Sequence, residues 1–150
     1  PGLVGAKYGL SLLGLCSGAV AGLVAVTPAS GYVSPGSAVL IGAIAGLGCY
    51  WGATGLKRLL GADDSLDVFG VHGVGGLIGA LLTGVLADPL IGGVSGSIAA
   101  QAAAAGATMV YSGVATALIL WLVDAVIGLR VSASQEHVGL DLSQHSEQVE

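Results

Sequence analysis

Four long apolar stretches, separated by short polar or Gly- and Pro-rich breaks, dominate the hydrophobic pattern of this chain. A helix needs about 20 apolar residues to cross a bilayer. The pattern therefore predicts four membrane-spanning helices, over residues 9–26, 37–56, 67–87 and 102–129. Residues 90–100, rich in Gly and Ser, are predicted to form a loop. We expect a transmembrane domain over residues 1–130 and a polar tail over residues 131–150.

Composition strengthens this interpretation. Charged residues make up 9% of the chain, hydrophobic residues 54%, and the mean hydropathy is +0.90. A soluble domain carries about 25% charge, so this chain has too few charges to cover a water-facing surface. The 27 glycines permit close helix–helix contact in lipid. The fold class predicted is an all-α membrane protein. Because no initiator Met or signal peptide is present, we expect the chain to begin inside a longer protein.

The four positive charges predict the orientation. Lys7 lies near the amino end, Lys57 and Arg58 follow the second predicted span, and Arg130 follows the fourth. With four spans, all these positions share one side, which the positive-inside rule makes cytoplasmic. Both ends of the segment are therefore expected in the cytoplasm. The net charge of −5 gives no indication of nucleic acid binding.

The start of the third span carries the residues best suited to chemistry. Asp64 or Ser65 can cap this helix, and Asp67 is expected in its first turn, where negative charge suits the helix dipole. An acidic pore entrance that attracts cations is the functional alternative. His72 lies inside the span, where buried ionisable groups are costly and tend to line transport pathways. Its neutral ring can both donate and accept a hydrogen bond, which suits proton handling.

Other polar and small residues have simpler interpretations. We expect four glycines of the third span to form a flat packing face: Gly73, Gly75, Gly76 and Gly79. Asp124 is expected to be a structural partner rather than a proton relay. Cys16 and Cys49 are interpreted as packing residues, and His137 and His145 as solvated tail residues. No nucleophile motif, metal spacing or nucleotide motif is present, so we expect neither an enzyme nor a cofactor.

The segment from Asp64 to Gly76 closely resembles the signature of the ammonium transporter (Amt/Rh) family. Similar matches occur at residues 27–33, at Trp51-Gly52 with 56–58, and in the tail. The resemblance implies the last four spans of an eleven-helix, inverted-repeat fold that assembles as a homotrimer. It implies ammonium uptake across the cell membrane, with ammonium deprotonated and ammonia passing two pore histidines.

Individual residues take implied roles from this resemblance. His72 matches the second pore histidine and Val68 a pore-wall residue, while Asp64, Asp67 and Phe69 match positions with pore-entrance or structural roles. The tail resembles a regulatory carboxyl terminus on which a PII signalling protein can dock. Its matching residues are Arg130, Glu136, Gly139 and Asp141.

The first histidine and the outer cation site of that family have no counterpart in these 150 residues. We therefore expect these spans alone to be inactive and transport to belong to a longer chain. Two alternatives remain open at this point: an ammonium sensor that uses the same His72, and an inert fragment of a truncated gene.

Overall fold

The computed structural model describes residues 4–5, 9–10 and 12–147. Within these residues, four helices are long and apolar enough to cross a membrane, which confirms the predicted all-α membrane fold. They cover Leu12–Ala29, Pro35–Leu60, Phe69–Leu86 and Ile98–Val126. Lys7, one of the charges behind the predicted orientation, lies outside the described residues.

The first span begins later than predicted. Strands β1 (Val4–Gly5) and β2 (Gly9–Leu10) form a two-residue antiparallel pair in which Gly5 lies opposite Gly9. This pairing holds residues 9–10 in an extended conformation, so helix α1 covers Leu12–Val26. A 3-10 turn, Thr27–Ala29, ends the span at the predicted break.

The second span is longer than predicted at both ends. Helix α2 (Pro35–Trp51) begins with Pro at its first position, and the Ser34 side chain caps it by accepting a hydrogen bond from the Ser37 N–H. A wide turn, named here the first π turn (Gly52–Leu56), leads into helix α3 (Lys57–Leu60). Gly61, with φ of 60°, then terminates the helix. Lys57 and Arg58 are therefore helical and do not lie in a loop.

The third span starts with another wide turn, the second π turn (Phe69–Gly73), and continues as helix α4 (Val74–Leu86). Asp67 was expected in the first helical turn, but it precedes the helix and has a left-handed backbone, with φ of 55°. Its carbonyl oxygen still accepts a hydrogen bond from the Val71 N–H at 2.9 Å. The backbone of Asp67 therefore leads directly into the helix, and Asp67 lies just before the first turn in which it was predicted.

The predicted loop over 90–100 contains a short helix, α5 (Pro89–Gly92), which Asp88 caps through the N–H of Leu90. Helix α6 then covers Ile98–Val126, so it begins and ends a few residues before the predicted 102–129. Its early start has a local cause, because the Ser97 hydroxyl accepts a hydrogen bond from the Ala100 N–H.

Helices α1, α2 and α4 pack against one another through small side chains. One cluster of buried residues contains Ala25, Ala29, Ile41 and Ala45. A second cluster contains Ala21, Cys49 and Val71. The alanines of these clusters bring the helix backbones close together, which is the usual basis of helix association in a membrane, and Ile41 and Val71 fill the remaining space.

By its internal contacts the chain divides into two compact units, Pro1–Ala107 and Thr108–Glu150. The first contains the three packed helices. The second contains the tail, in which helix α7 (Ala133–Val138) is followed by a third π turn (Asp141–His145). Ser132 starts α7 with a capping box that pairs it with Gln135. The predicted change from membrane domain to tail at residues 130–131 remains a prediction.

Candidate functional site

Asp64 fixes the beginning of the third span. Its two carboxylate oxygens accept hydrogen bonds from the N–H groups of Val68 and Phe69, each at 2.9 Å. These N–H groups belong to the first helical turn and have no partner within the helix. A carboxylate at this position satisfies both and also interacts favourably with the helix dipole. Asp64, rather than Ser65, is therefore the cap of this helix.

Asp67 forms an ion pair that connects the start of the third span to the last turn of the second span. Its carboxylate lies 2.8 Å from the Lys57 ammonium, and both side chains are partly exposed, at 40% and 30% respectively. Asp is one of the few residues besides Gly that adopts a left-handed backbone readily. The ion pair shows that the last turn of the second span and the start of the third lie at the same end of the helix group.

The two π turns cross with their backbones in contact. A Cβ atom at position 70 would lie 2.5 Å from the Ala53 nitrogen and 2.8 Å from the Gly52 carbonyl carbon. A Cβ atom at position 52 would lie 3.0 Å from the Gly70 Cα. This crossing therefore requires glycine at position 70 and leaves little room at position 52.

Val71 occupies the core next to this crossing. It is 8% exposed and packs with Ala21 and Cys49. The Cys49 thiol also donates a hydrogen bond to the Val71 carbonyl oxygen at 3.5 Å. Side chain and backbone of Val71 are thus both fixed against neighbouring helices.

His72, the next residue, has an exposed side chain. Among the described residues it makes no side-chain hydrogen bond or ion pair. Val68 and Phe69 are exposed as well, at 51% and 56%. His72 and Val68 are four residues apart, about one turn of helix, so they can face the same side. The structure therefore presents the imidazole outside the packed core of the three helices.

A cavity of about 450 Å³ lies on the other side of the second π turn, between α1 and the second span. Val71 and Asp67 line it, together with Lys57 and several small residues of α1, whereas His72 and Val68 do not. Its polar side chains are Ser17, Tyr50, Thr54, Lys57, Arg58 and Asp67. Two predicted site residues, His72 and Asp67, are therefore on different surfaces.

The four glycines predicted to form a packing face divide into two groups. Gly75 and Gly79 are buried: a Cβ atom at position 75 would lie 2.9 Å from the Cys49 sulfur, and one at position 79 would overlap the Ala25 carbonyl oxygen. Gly76 has no atom within 4 Å of such a Cβ, and Gly73 approaches only the ring of Phe69. Close packing between helices thus involves Gly75 and Gly79, about half of the predicted face.

The predicted tail residues form local interactions. The Arg130 guanidinium binds both oxygens of Glu136, one of them at 3.2 Å. This hydrogen bond and the positive charge of Arg130 lower the pKa of Glu136 below its usual value. Gly139, with φ of 98°, ends α7, and the carbonyl oxygen of Asp141 accepts a hydrogen bond from the Glu147 N–H.

The other residues singled out in the sequence, Asp124, His137, His145 and the two cysteines, do not form a site among the described residues. Asp124 is exposed, and its side chain does not show the expected structural partner among the described residues. His137 and His145 are exposed, and Cys16 and Cys49 are free thiols, the former exposed and the latter buried. Within residues 12–147, no group of three His, Cys, Asp or Glu side chains could hold a metal ion.

Sequence reasoning missed the two crossing π turns. The glycines at 52 and 70 were visible signals of close backbone contact, but their pairing depends on how the second and third spans cross. The contact of Cys49 with Val71 was also missed, since a buried Cys in an apolar helix has no distinctive pattern.

Comparison with known proteins identifies the relatives of this chain. A family model described as "Ammonium Transporter Family" matches residues 6–150. An ammonium transporter from Aquifex aeolicus is 46% identical over 144 residues, which cover 91% of this chain and 34% of that protein. The ammonium transporter Amt1 of Archaeoglobus fulgidus is 43% identical over 142 residues, covering 90% and 36% respectively.

Solved structures give the same result for the fold. The crystal structure of Saccharomyces cerevisiae Mep2 superposes with a TM-score of 0.76 and 37% identity, over 85% of this chain and 32% of that one. Candida albicans Mep2 gives a TM-score of 0.73 with 33% identity. The chain spans about a third of the length of the relatives it matches.

Proposed function

Because this chain belongs to the Ammonium Transporter Family and shares part of its fold, we propose that it forms the carboxyl-terminal part of an ammonium transporter. The family is one of membrane transporters and not of enzymes. The observation that carries the proposal is the exposed His72, which lies within a sequence that matches this family along nearly its whole length.

The proposed mechanism follows from the cost of charge in an apolar passage. A cation without water or paired groups is expensive to place in a low-dielectric environment, whereas neutral ammonia avoids most of that cost. Ammonium therefore transfers its proton to water outside the apolar passage before it enters, and ammonia passes His72 and Val68. The neutral imidazole of His72 can donate one hydrogen bond and accept another along this passage.

The first histidine of the pair and the outer cation site are supplied by parts of the transporter outside these residues. The chain covers only 34% of the Aquifex relative, which supports a longer functional unit. In this proposal the unit is a homotrimer in the cell membrane. We expect the four spans alone to give no selective ammonia flux after reconstitution in vesicles, and such a flux would contradict this part of the proposal.

The cytoplasmic orientation of both ends is proposed from the positive charges. The Lys57–Asp67 ion pair lies at the side that these charges make cytoplasmic in the proposal. The tail is proposed to regulate transport through Arg130 and Glu136, with a PII signalling protein as its partner at the cytoplasmic face.

The test is uptake of labelled methylammonium by the full-length protein in cells that lack their own ammonium transporters. We expect the wild-type protein to support uptake and His72→Ala to change its rate or its coupling to protons. The matched control is His137→Ala, the same substitution at an exposed tail position. Wild-type flux and proton coupling in His72→Ala would contradict the role of His72. No uptake despite correct membrane insertion would favour a sensor or an inactive fragment.

A further inference from the structure

A regular α-helix would not place His72 where it lies. One residue of an α-helix advances about 100° around the axis. His72 precedes Gly79 by seven residues and Thr83 by eleven, so a regular helix would put it within about 20° of both. Gly79 and Thr83 are buried against the neighbouring helices. The imidazole would then point into the packed core.

The same count predicts a different position for Val71. It precedes Gly79 by eight residues and the buried Gly75 by four, so a regular helix would place it about 80° from the first and about 40° from the second, at the edge of the buried side. The structure has the reverse arrangement: Val71 is buried and His72 is exposed. The helix must therefore be wound differently between these residues and Gly79.

The second π turn accounts for the difference. The Val74 N–H bonds to the Phe69 carbonyl oxygen, five residues earlier, so this turn takes in one residue more than an α-helical turn. One extra residue corresponds to about 100° of rotation spread over the turn. Part of that rotation moves Val71 onto the buried side and moves His72 off it.

Contacts on both sides of the turn hold this winding. Gly70 lies against the backbone of the first π turn, where a Cβ atom would come within 2.5 Å of the Ala53 nitrogen and 2.7 Å of its Cα. These atoms are backbone, so no side-chain rotation could make room. Val71 is fixed by Ala21 and Cys49. The winding of Phe69–Gly73 is thus coupled to its crossing with Gly52–Leu56.

We propose that the crossing of the two π turns determines which way His72 faces, and that Gly70 is a positioning residue for the imidazole. The expected effect of Gly70 on transport rests on the proposed function. The winding of the second π turn does not, and it can be measured separately. Loss of the crossing lets the second π turn relax toward regular α-helix and turns the imidazole toward the core.

The first experiment compares two single cysteines in the full-length protein, Val71→Cys and His72→Cys. Each is treated with methyl methanethiosulfonate, and peptide-resolved mass spectrometry measures the modification. Methyl methanethiosulfonate is small and uncharged, so it can enter the proposed passage, whereas position 71 lies in the packed core. We therefore expect position 72 to react about ten-fold faster than position 71. The natural buried Cys49 is the unreactive reference. Equal rates, a reversed order or no reaction at position 72 would overturn the inference.

The second experiment introduces Gly70→Ala, with Gly76→Ala as the matched control in the same span. A Cβ atom at position 76 meets nothing within 4 Å. We expect Gly70→Ala to lower methylammonium uptake by about ten-fold or more, since small misplacements of a reacting group have large effects. Combined with His72→Cys, it should also slow thiol modification at position 72. Unchanged modification, or an equal loss in the Gly76→Ala control, would contradict a positioning role.

The two readouts separate the inference from the proposed function. If uptake in Gly70→Ala is lost while the pattern of thiol modification stays that of the wild type, the positioning inference fails. If position 72 is exposed as expected but His72→Ala transports normally, the winding is correct and the role of His72 in transport is wrong. If Gly70→Ala does not fold, Gly52→Ala combined with His72→Cys tests the same crossing, because its Cβ atom would lie 3.0 Å from the Gly70 Cα. Slower thiol modification at position 72 would support the inference, and an unchanged rate would overturn it.

Discussion

The two ends of the group formed by α1, α2 and α4 are built differently. At one end, Ala25, Ala29, Ile41 and Ala45 form a fully buried apolar cluster around regular α-helix. At the other end, Val71 and Cys49 lie beside two π turns, an ion pair and a polar cavity. The regular end holds the helices together. At the end with the π turns, the helices are not regular α-helix and polar groups are accessible. Single π turns of this kind are frequently found at functional sites in proteins.

The largest effect is expected at the regular end. Gly79→Ala would place a Cβ atom on the Ala25 carbonyl oxygen, a backbone atom that cannot rotate away. Overpacking a tight core costs about 1–3 kcal/mol and sometimes more, and we expect the upper part of that range. The thermal midpoint and the yield of monodisperse protein in detergent measure this.

Gly76→Ala is the control for this substitution, since position 76 is open. A thermal midpoint of Gly79→Ala equal to that of the control would mean that α4 does not pack against the Ala25 backbone as described.

A smaller effect is expected at the start of the third span. Asp64→Ala removes the acceptor for two N–H groups, and loss of a helix cap costs about 0.5–2 kcal/mol. Asp64→Asn keeps one acceptor oxygen and should lose less. Thermal unfolding ranks the three proteins, and methylammonium uptake shows whether the cap also supports the second π turn. If the Ala and Asn variants were equally destabilised, the negative charge rather than the hydrogen bonds would be the important feature.

The smallest effect concerns the ion pair of the tail, which is more exposed than the Lys57–Asp67 pair. Arg130 lowers the pKa of Glu136, so this carboxyl group stays charged to lower pH in the folded tail than in the unfolded chain. The pair therefore contributes stability above the ordinary Glu pKa, and this contribution is lost as pH falls through the lowered value. At neutral pH its effect on stability should be slight.

The measurement is an NMR titration of the labelled Glu136 carboxyl group in the wild type and in Arg130→Gln. We expect the pKa of Glu136 to rise in the variant. An unchanged pKa would show that the guanidinium does not bind Glu136 in solution.

Several features could be predicted from the sequence because they depend on local composition. The four spans follow from the length of the apolar stretches, and the cap at Asp64 follows from an acidic residue before an apolar helix. The break at Thr27–Ala29 follows from Pro28. The predicted ends of the helices were less accurate where capping or long-range contacts determine them, as at Leu60 and at Ile98.

The ion pair of Lys57 with Asp67 could not be predicted, because it depends on the conformation of the turn between the second and third spans. The left-handed backbone of Asp67 is part of that turn. Which two of the four predicted packing glycines are buried, Gly75 and Gly79, likewise depends on which side of α4 meets α1.

The sequence by itself determined that this chain spans a membrane, that it belongs to its family, and that an ionisable His72 lies inside an apolar span. These follow from residue types and their order along the chain. Only the tertiary structure decided which way that residue faces. Its direction depends on one extra residue in a turn, and that winding is held by backbone contact between Gly70 and Gly52–Ala53, residues that are far apart in sequence.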